Sequence, residues 1–227
     1  MDGDAVGEHT LAFDLEPGHT ALVVIDMQYA SASREAGLGR WLEENGRSSE
    51  GTYRFDRIES LLVPNIQRLL EAFRAVALPC VFVRLGAQMK GCRDLIPHLR
   101  ELEIAFGNIS GQREYEILDE LEPRPGEPVV TKLSASAFTS SGFDALLRNL
   151  EATTLVFVGV STSQCVDLTA RDAADRGYRC LIVEDAVAED RHEWHVATLE
   201  QFERLFGAVG TTDDVLGTLA DLPAHRP

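Results

Sequence analysis

The apolar residues of this chain follow two patterns: short continuous runs, and longer stretches in which they recur at every third or fourth position. The runs predict strands buried on both faces, at 20–26, 79–84, 129–131, 154–158 and 179–183, with a short edge strand at 207–210. The periodic stretches predict helices at 57–77, 95–106, 115–121, 143–150, 190–206 and 213–222, and one further helix that begins at Cys165. Strands that alternate with helices predict a parallel sheet covered by helices on both faces.

Length and composition fit a single domain over residues 1–227. Hydrophobic residues make up 44% of the chain, which is enough for a sizeable core and too many for a disordered protein. The polar residues 1–18 are expected to form an N-terminal extension on the surface. The net charge of −16 argues against nucleic acid and anionic membranes as partners. No apolar run reaches the length of a membrane span and the acidic N-terminus lacks a signal-peptide core, so we expect a cytoplasmic location.

Residues 29–54 form a long segment that is rich in Ser, Gly and Glu and also holds Trp41 and Tyr53. A loop of this length inside a compact domain is usually functional or mobile. We therefore expect a lid over a site or a contact between subunits, the alternative being a disordered insertion. A subunit contact would fit the homo-oligomer, a dimer or a tetramer, that we expect.

Cys165 is the first candidate for chemistry, because it begins a helix directly after the strand at 154–158 and Gly159. Free N–H groups and the positive end of the helix dipole favour a thiolate at such a position, and they can hold a developing oxyanion. Ser161 and Thr162 are candidate caps of this helix. The alternative is that Cys165 is a small buried hydrophobic residue, as most free cysteines are.

Two charged residues end other strands of the predicted sheet. Asp26 follows the first apolar run and Lys132 follows the run at 129–131. If these strands are parallel to the one before Cys165, all three side chains emerge at the sheet edge where α/β folds bind ligands. Taken singly, Asp26 can be a cap and Lys132 a solvated charge. Together with Cys165 they provide a nucleophile, a base for its proton and a cation that favours the thiolate.

The motifs around these residues resemble those of the isochorismatase-like cysteine hydrolases. They are IDMQ with Asp26 and Gln28, VVTKLSASAF with Lys132, and GVSTSQCV with Cys165, and the similarity runs from about Thr20 to Leu219. The resemblance implies an α/β, three-layer Rossmann-like fold with a six-stranded, mainly parallel sheet flanked by helices. It also implies a catalytic triad of Asp26, Lys132 and Cys165. By the same resemblance, a cis peptide bond joins Val160 and Ser161, and backbone N–H groups there and at Cys165 form the oxyanion hole.

Histidine and cysteine usage narrows the expected activity. Nicotinamidases of this family carry an Asp-x-His-x-x-His metal site, whereas the only histidine between Asp26 and Lys132 here is His98. His192 and His195 do not have the spacing of a zinc motif and are expected to be ordinary residues at a helix start. We therefore expect no metal and no cofactor. Of the other cysteines, Cys80 and Cys180 lie in strand runs and Cys92 lies in a loop, and their spacings fit neither zinc ligands nor disulfides.

Looser similarity at 57–77 and in DELEPRPGEPVVTK points to the amidases that cut biuret, ureidoacrylate and carbamoylsarcosine. The resemblance then implies a metal-independent amidase that cleaves a C–N bond of a small linear amide or ureide through a thioester and releases ammonia. The candidate substrate-binding residues are Gln164, Phe138, Arg84 and Gln28. Gln164 offers a donor and an acceptor to a urea-like group, and Arg84 can meet a carboxylate, although either can equally be structural.

Two other functions stay open on the same fold. One is a hydrolase that cleaves a vinyl ether, as isochorismatases do, although isochorismatases proper lack the cysteine that this chain keeps at position 165. The other is a non-hydrolytic protein with an exposed thiol for redox chemistry or binding. Ammonia release from a panel of amides separates the amidase from both.

Overall fold

The computed structural model describes residues 15–16 and 18–220. Within this part of the chain, six strands form one sheet: β1 (Thr20–Ile25), β2 (Cys80–Leu85), β3 (Val129–Lys132), β4 (Thr154–Val160), β5 (Arg179–Ala188) and β6 (Ala208–Gly210). Their order is β3-β2-β1-β4-β5-β6, and every neighbouring pair is parallel. The predicted α/β fold with a six-stranded parallel sheet is therefore confirmed.

The helices connect the carboxyl end of each strand with the start of the next. They are α1 (Tyr29–Ala32), α2 (Gly37–Glu44), α3 (Thr52–Arg57), α4 (Val63–Ala75), α5 (Pro97–Phe106), α6 (Phe143–Asn149), α7 (Asp167–Asp175), α8 (His192–Glu203) and α9 (Thr212–Ala220). None of these described helices combines the length and apolarity that crossing a bilayer requires.

Alternate residues of β1 point to opposite faces of the sheet, and helices cover each face. Leu22 and Val24 belong to a core that includes the apolar sides of α4 and α9. Ala21, Val23 and Ile25 belong to a second core, which includes those of α6, α7 and α8. This double burial explains why the strand run is apolar at every position rather than at alternate ones.

Two predicted helices differ from the observed ones. The helix predicted at 57–77 is preceded by α3, continues as a π-helical stretch (Ile58–Leu62) and becomes α4, whose first turn holds Pro64. The segment 115–121 holds no α-helix but two 3-10 turns, Arg113–Tyr115 and Asp119–Leu121; its apolar spacing reflects the burial of side chains in the core, not a helical face. The end of the last predicted helix, 221–222, lies outside the described residues. So does the predicted extension 1–18, apart from 15, 16 and 18.

The segment 29–54 is mostly helical, in contrast to the loop that its composition predicts. It contains α1, α2, a 3-10 turn (Ser48–Gly51) and the start of α3. Trp41 of α2 packs edge to face against Phe106 of α5, with ring centroids 6.1 Å apart. The segment thus forms an ordered layer next to the end of β1, and the idea of a disordered insertion is wrong.

Candidate active site

Asp26, Lys132 and Cys165 meet at the carboxyl edge of the sheet. Asp26 directly follows β1, Lys132 is the last residue of β3, and Cys165 lies in the helical turn after β4. The Lys132 Nζ atom lies 2.9 Å from Asp26 Oδ2 and 3.2 Å from Cys165 Sγ. All three side chains are buried. A cation therefore lies between a carboxylate and a thiol in a buried site, where electrostatic interactions are stronger than in water.

Lys132 stays charged in this position. Burial by itself lowers the pKa of the ammonium group, but the Asp26 carboxylate and Cys165 together raise it above the ordinary value. The ammonium group also donates to the Ser134 carbonyl at 3.2 Å. The second Asp26 oxygen, Oδ1, is buried and makes no hydrogen bond of normal geometry with the described residues. Asp26 thus has one oxygen held by Lys132 and one available as a proton acceptor.

The position of Cys165 at a helix start favours a thiolate, but its burial in the folded chain opposes one. Burial raises the pKa of the thiol to about 12, and the negative charge of Asp26 raises it further, while Lys132 acts in the opposite direction. Burial therefore favours the protonated thiol. The proton has to leave as the sulfur attacks, and Asp26 is the adjacent base.

The helix cap that the sequence predicts is also different. Ser161 occupies the N-cap position without a capping hydrogen bond, and a π-helical turn (Thr162–Val166) leads into α7. The Ser161 hydroxyl instead accepts a hydrogen bond from Arg54 Nη1 at 2.7 Å. The Thr162 hydroxyl lies 3.0 Å from His195 Nδ1. Both side chains therefore attach the turn to other elements rather than to its own helix.

The backbone before Cys165 is tightly constrained. The peptide bond between Val160 and Ser161 is cis, at the position that the family resemblance implies. Gly159 has a φ of 116°, and a Cβ atom there would lie 2.0 Å from the Ile25 carbonyl oxygen. Only glycine lets β4 come this close to β1 immediately before the turn.

Arg54 fixes the same turn from the other side, and no feature of the sequence distinguishes it from the other arginines. Its guanidinium group is buried and donates to the Ser161 hydroxyl and to the Ser31 carbonyl, the latter at 2.9 Å. It also forms an ion pair with Asp190 at 3.1 Å. Nearly all of its donors are used by the protein, so Arg54 positions the turn around Ser161.

A cavity of about 180 Å³ lies above the thiol. Besides Asp26 and Cys165, its lining residues are Gln28, Ala30, Ser31, Leu38, Arg54, Leu85, Leu102, Glu103, Phe106, Asn108, Val160, Ser161, Gln164 and Asp190. Gln164 is exposed and lines the cavity as predicted. Gln28 lines it too, but its amide binds the protein: it donates to the Leu85 and Tyr115 carbonyls and accepts from the Leu85 N–H. Gln28 is thus a structural residue beneath the site.

Arg84 and Phe138 do not line the cavity. In contrast to the prediction, neither is therefore placed to bind the substrate. Neighbouring strand residues face opposite sides, and it is Leu85 that faces the cavity. Arg84 is instead held by Glu116 at 3.1 Å. Phe138 packs in the core against Phe143, with ring centroids 4.9 Å apart.

Glu103 is a functional candidate that the sequence does not reveal, since a glutamate within an amphipathic helix resembles a solvated charge. Its side chain lines the cavity and is 5% exposed. Burial raises its pKa to about 7. Its Oε2 atom accepts a hydrogen bond from Asn108 Nδ2 at 2.7 Å, and Asn108 in turn contacts Gln28. A group that titrates near neutral pH therefore faces the site.

Replacing Glu103 with glutamine is expected to change how stability depends on pH. The folded state holds the Glu103 proton more tightly than the unfolded chain does, so this contribution is complete below the unfolded pKa and is lost as the pH rises through about 7. Relative to wild type, Glu103→Gln should gain about 3 kcal/mol in unfolding free energy between about pH 4 and about pH 9. Denaturant unfolding measures this. The exposed Glu101→Gln on the same helix should show a much smaller change, and equal changes in both variants would contradict the assignment.

His192, His195 and the cysteines other than Cys165 take structural positions. His192 begins α8, as predicted, and lies 3.2 Å from the Tyr53 hydroxyl. His195 is buried, and burial together with Arg57 lowers its pKa to about 4, so it is neutral at physiological pH. Cys92, like the other cysteines, is a buried free thiol. Among residues 15–16 and 18–220, no three His, Cys, Asp or Glu side chains cluster as metal ligands would.

Known proteins are similar to this chain over most of its length. The Isochorismatase domain model matches residues 20–214. Ureidoacrylate amidohydrolase RutB from Pseudomonas syringae is 32% identical, over 94% of this chain and 88% of that protein. RutB from Agrobacterium fabrum is 29% identical, over 91% of this chain and 92% of that protein.

Solved structures share the fold. A cysteine hydrolase from Pseudomonas syringae pv. phaseolicola superposes with a TM-score of 0.74 at 24% identity, covering 93% of this chain and 97% of that one. The N-carbamoylsarcosine amidase from Thermoplasma acidophilum gives a TM-score of 0.63 at 29% identity, covering 86% and 97%. With the domain model matched over most of its length, this chain belongs to the isochorismatase family.

Proposed function

We propose that this protein is a metal-independent cysteine amidohydrolase that cleaves a C–N bond of a small linear ureide. The observation that carries the proposal is the position of Lys132, whose ammonium group contacts both the Asp26 carboxylate and the Cys165 sulfur at the floor of a cavity. A nucleophile, a base and an activating cation within contact distance are what covalent acyl transfer requires.

The first half of the reaction forms a thioester. Asp26 takes the thiol proton as Sγ bonds to the carbonyl carbon, and the carbonyl electron pair moves onto oxygen. Backbone N–H groups at Ser161 and Cys165 hold this oxyanion. When the carbonyl re-forms, the C–N bond breaks and Asp26 returns the proton to the departing nitrogen, which leaves as ammonia. The acyl group stays on Cys165.

The second half restores the enzyme with water. Asp26 takes a proton from water as the oxygen bonds to the thioester carbon, and the C–S bond then breaks. The sulfur recovers the proton, and the acid product leaves. Lys132 contacts both groups between which the proton moves and keeps its own charge. Asp26 thus relays one proton in each half-reaction, from the thiol to the leaving nitrogen in the first and from water to the sulfur in the second, and no metal is needed for either.

The substrate class rests on the relatives and on the cavity. RutB proteins are named for the hydrolysis of ureidoacrylate, and the Thermoplasma neighbour is named for carbamoylsarcosine. Both compounds carry a carbamoyl group on nitrogen, which is planar and rich in N–H donors. The cavity offers the Gln164 amide, the free oxygen of Asp26 and the Glu103 carboxyl group to such a group. These are acceptors matched to its N–H groups.

Ammonia release from a panel of amides, together with pyruvate release from isochorismate, tests this function. Ureidoacrylate, N-carbamoylsarcosine and biuret represent ureides, nicotinamide represents an ordinary amide, and isochorismate represents a vinyl ether. At least one ureide should be hydrolysed with a kcat/KM at least about tenfold above that of nicotinamide. Turnover of isochorismate alone would establish the vinyl-ether hydrolase instead. If no compound of the panel is turned over, the proposal of ureide hydrolysis is contradicted.

A further inference from the structure

Next to the catalytic cavity lies a second, larger cavity of about 490 Å³, here called the outer chamber. Its lining residues are Leu38, Trp41, Leu42, Arg47, Glu50, Gly51, Leu102, Phe106, Asp190, Arg191 and Trp194. Four of these, namely Leu38, Leu102, Phe106 and Asp190, also line the catalytic cavity. The two cavities are therefore adjacent, and the outer chamber is the space nearest to the part of a substrate that projects away from Cys165 on this side.

Size favours a ligand that occupies both spaces. Ligand pockets typically measure about 300–1,000 Å³. The catalytic cavity alone, at about 180 Å³, lies below that range, whereas the outer chamber lies within it. The catalytic cavity therefore suits the carbamoyl group, and the outer chamber suits the remainder of the substrate.

Aromatic and aliphatic side chains make up part of the lining of the outer chamber. Both tryptophans of the chain line it. Trp41 packs against Phe106, while Trp194 at the start of α8 leaves 47% of its surface exposed. Leu102, on the side of α5, is 45% exposed. Exposed apolar side chains grouped beside a catalytic cavity mark a binding surface more often than isolated ones do.

The charges of the outer chamber are not all compensated. Arg47 forms an ion pair with Glu50 at 2.7 Å. Asp190 is paired with Arg54. The Arg191 guanidinium group lies 4.9 Å from the centre of the Trp194 ring, and its charge, after that of Arg47, helps to lower the pKa of Glu50. Among the described residues, no carboxylate lies within ion-pair distance of Arg191. An anionic group on a ligand would find a cation at this position.

We propose that the outer chamber binds the non-reacting part of the substrate, and that this part is an aromatic or branched apolar side chain next to a carboxylate. The substrate class is then a ureido acid with a large apolar side chain, such as an N-carbamoyl derivative of an apolar amino acid. The inference rests on the proposed ureide hydrolysis. It also assigns a role to the segment 29–54, whose helix α2 forms one wall of the outer chamber.

Three compounds test the substrate class: the N-carbamoyl derivatives of glycine, leucine and phenylalanine. All three share the carbamoyl group and the carboxylate, so only the side chain varies. The kcat/KM for the phenylalanine compound should exceed that for the glycine compound by roughly 10–100-fold, the effect expected when an apolar side chain leaves water. A ratio near one, with turnover of the glycine compound, would overturn the inference and leave the proposed function intact.

Trp194 provides a variant that should fold normally because its side chain is half exposed. Trp194→Ala should lower the phenylalanine-to-glycine ratio of kcat/KM at least about fivefold, mainly through KM, and Trp194→Phe should restore most of it. Val196→Ala is the control, an exposed apolar residue of the same helix outside the outer chamber. If Trp194→Ala leaves the ratio unchanged and instead dissociates an oligomer in sedimentation, this surface is a contact between copies and the inference is overturned.

Tryptophan fluorescence measures occupancy independently of turnover. Because both tryptophans line the outer chamber, binding should change the emission of a Cys165→Ala protein titrated with N-carbamoyl-leucine, and N-carbamoylglycine should cause little change at the same concentration. This titration still decides the inference if no ureide is hydrolysed. Equal responses to the two compounds, or no response to either, would contradict it.

Discussion

Replacing Cys165 with alanine is expected to lower ureide turnover by at least about four orders of magnitude, the scale on which enzymes lose rate with their nucleophile. The sulfur is the only atom of the Asp26, Lys132 and Cys165 cluster that can form the acyl bond. Cys165→Ser should not restore activity. A serine hydroxyl gives up its proton far less readily than a thiol, and burial already raises the pKa of the thiol to about 12.

Three measurements make this result specific to the nucleophile. Ammonia release gives the rate, calorimetric titration with a ureide should show that Cys165→Ala still binds, and circular dichroism should show that it is folded. Cys180→Ala is the matched control, because Cys180 is an equally buried free cysteine in the same core. When the wild-type enzyme is quenched during turnover, intact-mass spectrometry should detect the added mass of the acyl group, and this added mass should be absent from Cys165→Ala. Ammonia release by Cys165→Ala at nearly the wild-type rate would contradict the cysteine mechanism.

The catalytic cluster could be located from the sequence because strand ends are easy to recognise. Asp26, Lys132 and the turn before Cys165 each follow an apolar run, and parallel strands bring such positions to one edge. Taken singly, each residue still had a structural alternative, and it was the family resemblance that joined the three as a triad. The pattern thus predicts a shared sheet edge, although not the contacts of 2.9 and 3.2 Å that define the cluster.

The remainder of the cavity depends on packing that the sequence does not encode locally. Glu103 faces the cavity because α5 docks beside it, and Arg54 reaches Ser161 across 107 positions of chain. Arg84 illustrates the opposite error: it ends a strand run as Asp26 does, but the alternation of side chains directs Leu85 rather than Arg84 to the cavity. A one-residue difference in register thus separates a pocket residue from a surface ion pair.

The protonation state of Cys165 was the other point that position alone could not settle. A helix N-terminus and a nearby lysine both favour the thiolate. Desolvation opposes them and is the largest of the effects on the pKa of this thiol, and the Asp26 charge adds to it. Because burial depends on all the surrounding elements, the balance can be seen only in the folded chain.

Asp26→Asn and Lys132→Met are expected to lower turnover by at least about two orders of magnitude each, the usual scale of general acid–base catalysis. The same two changes should shift thiol reactivity in opposite directions. The Asp26 charge raises the pKa of Cys165 and the Lys132 charge lowers it. Alkylation by iodoacetamide, which reads the thiolate fraction, should therefore become faster in Asp26→Asn and slower in Lys132→Met. A mere loss of folding would change both rates in the same direction.

The double variant completes the test, because Asp26, Lys132 and Cys165 act as one unit. Its loss of turnover should be smaller than the product of the two single losses. Lys132→Met leaves Asp26 buried without its cation, so it should also be the least stable of the three variants, and removing the Asp26 charge should recover part of that stability. Lys90→Met is the control, since Lys90 is the only other lysine of the chain and is exposed. Alkylation at the wild-type rate in Lys132→Met would show that this lysine does not activate the thiol, and its contact with Cys165 would then serve binding alone.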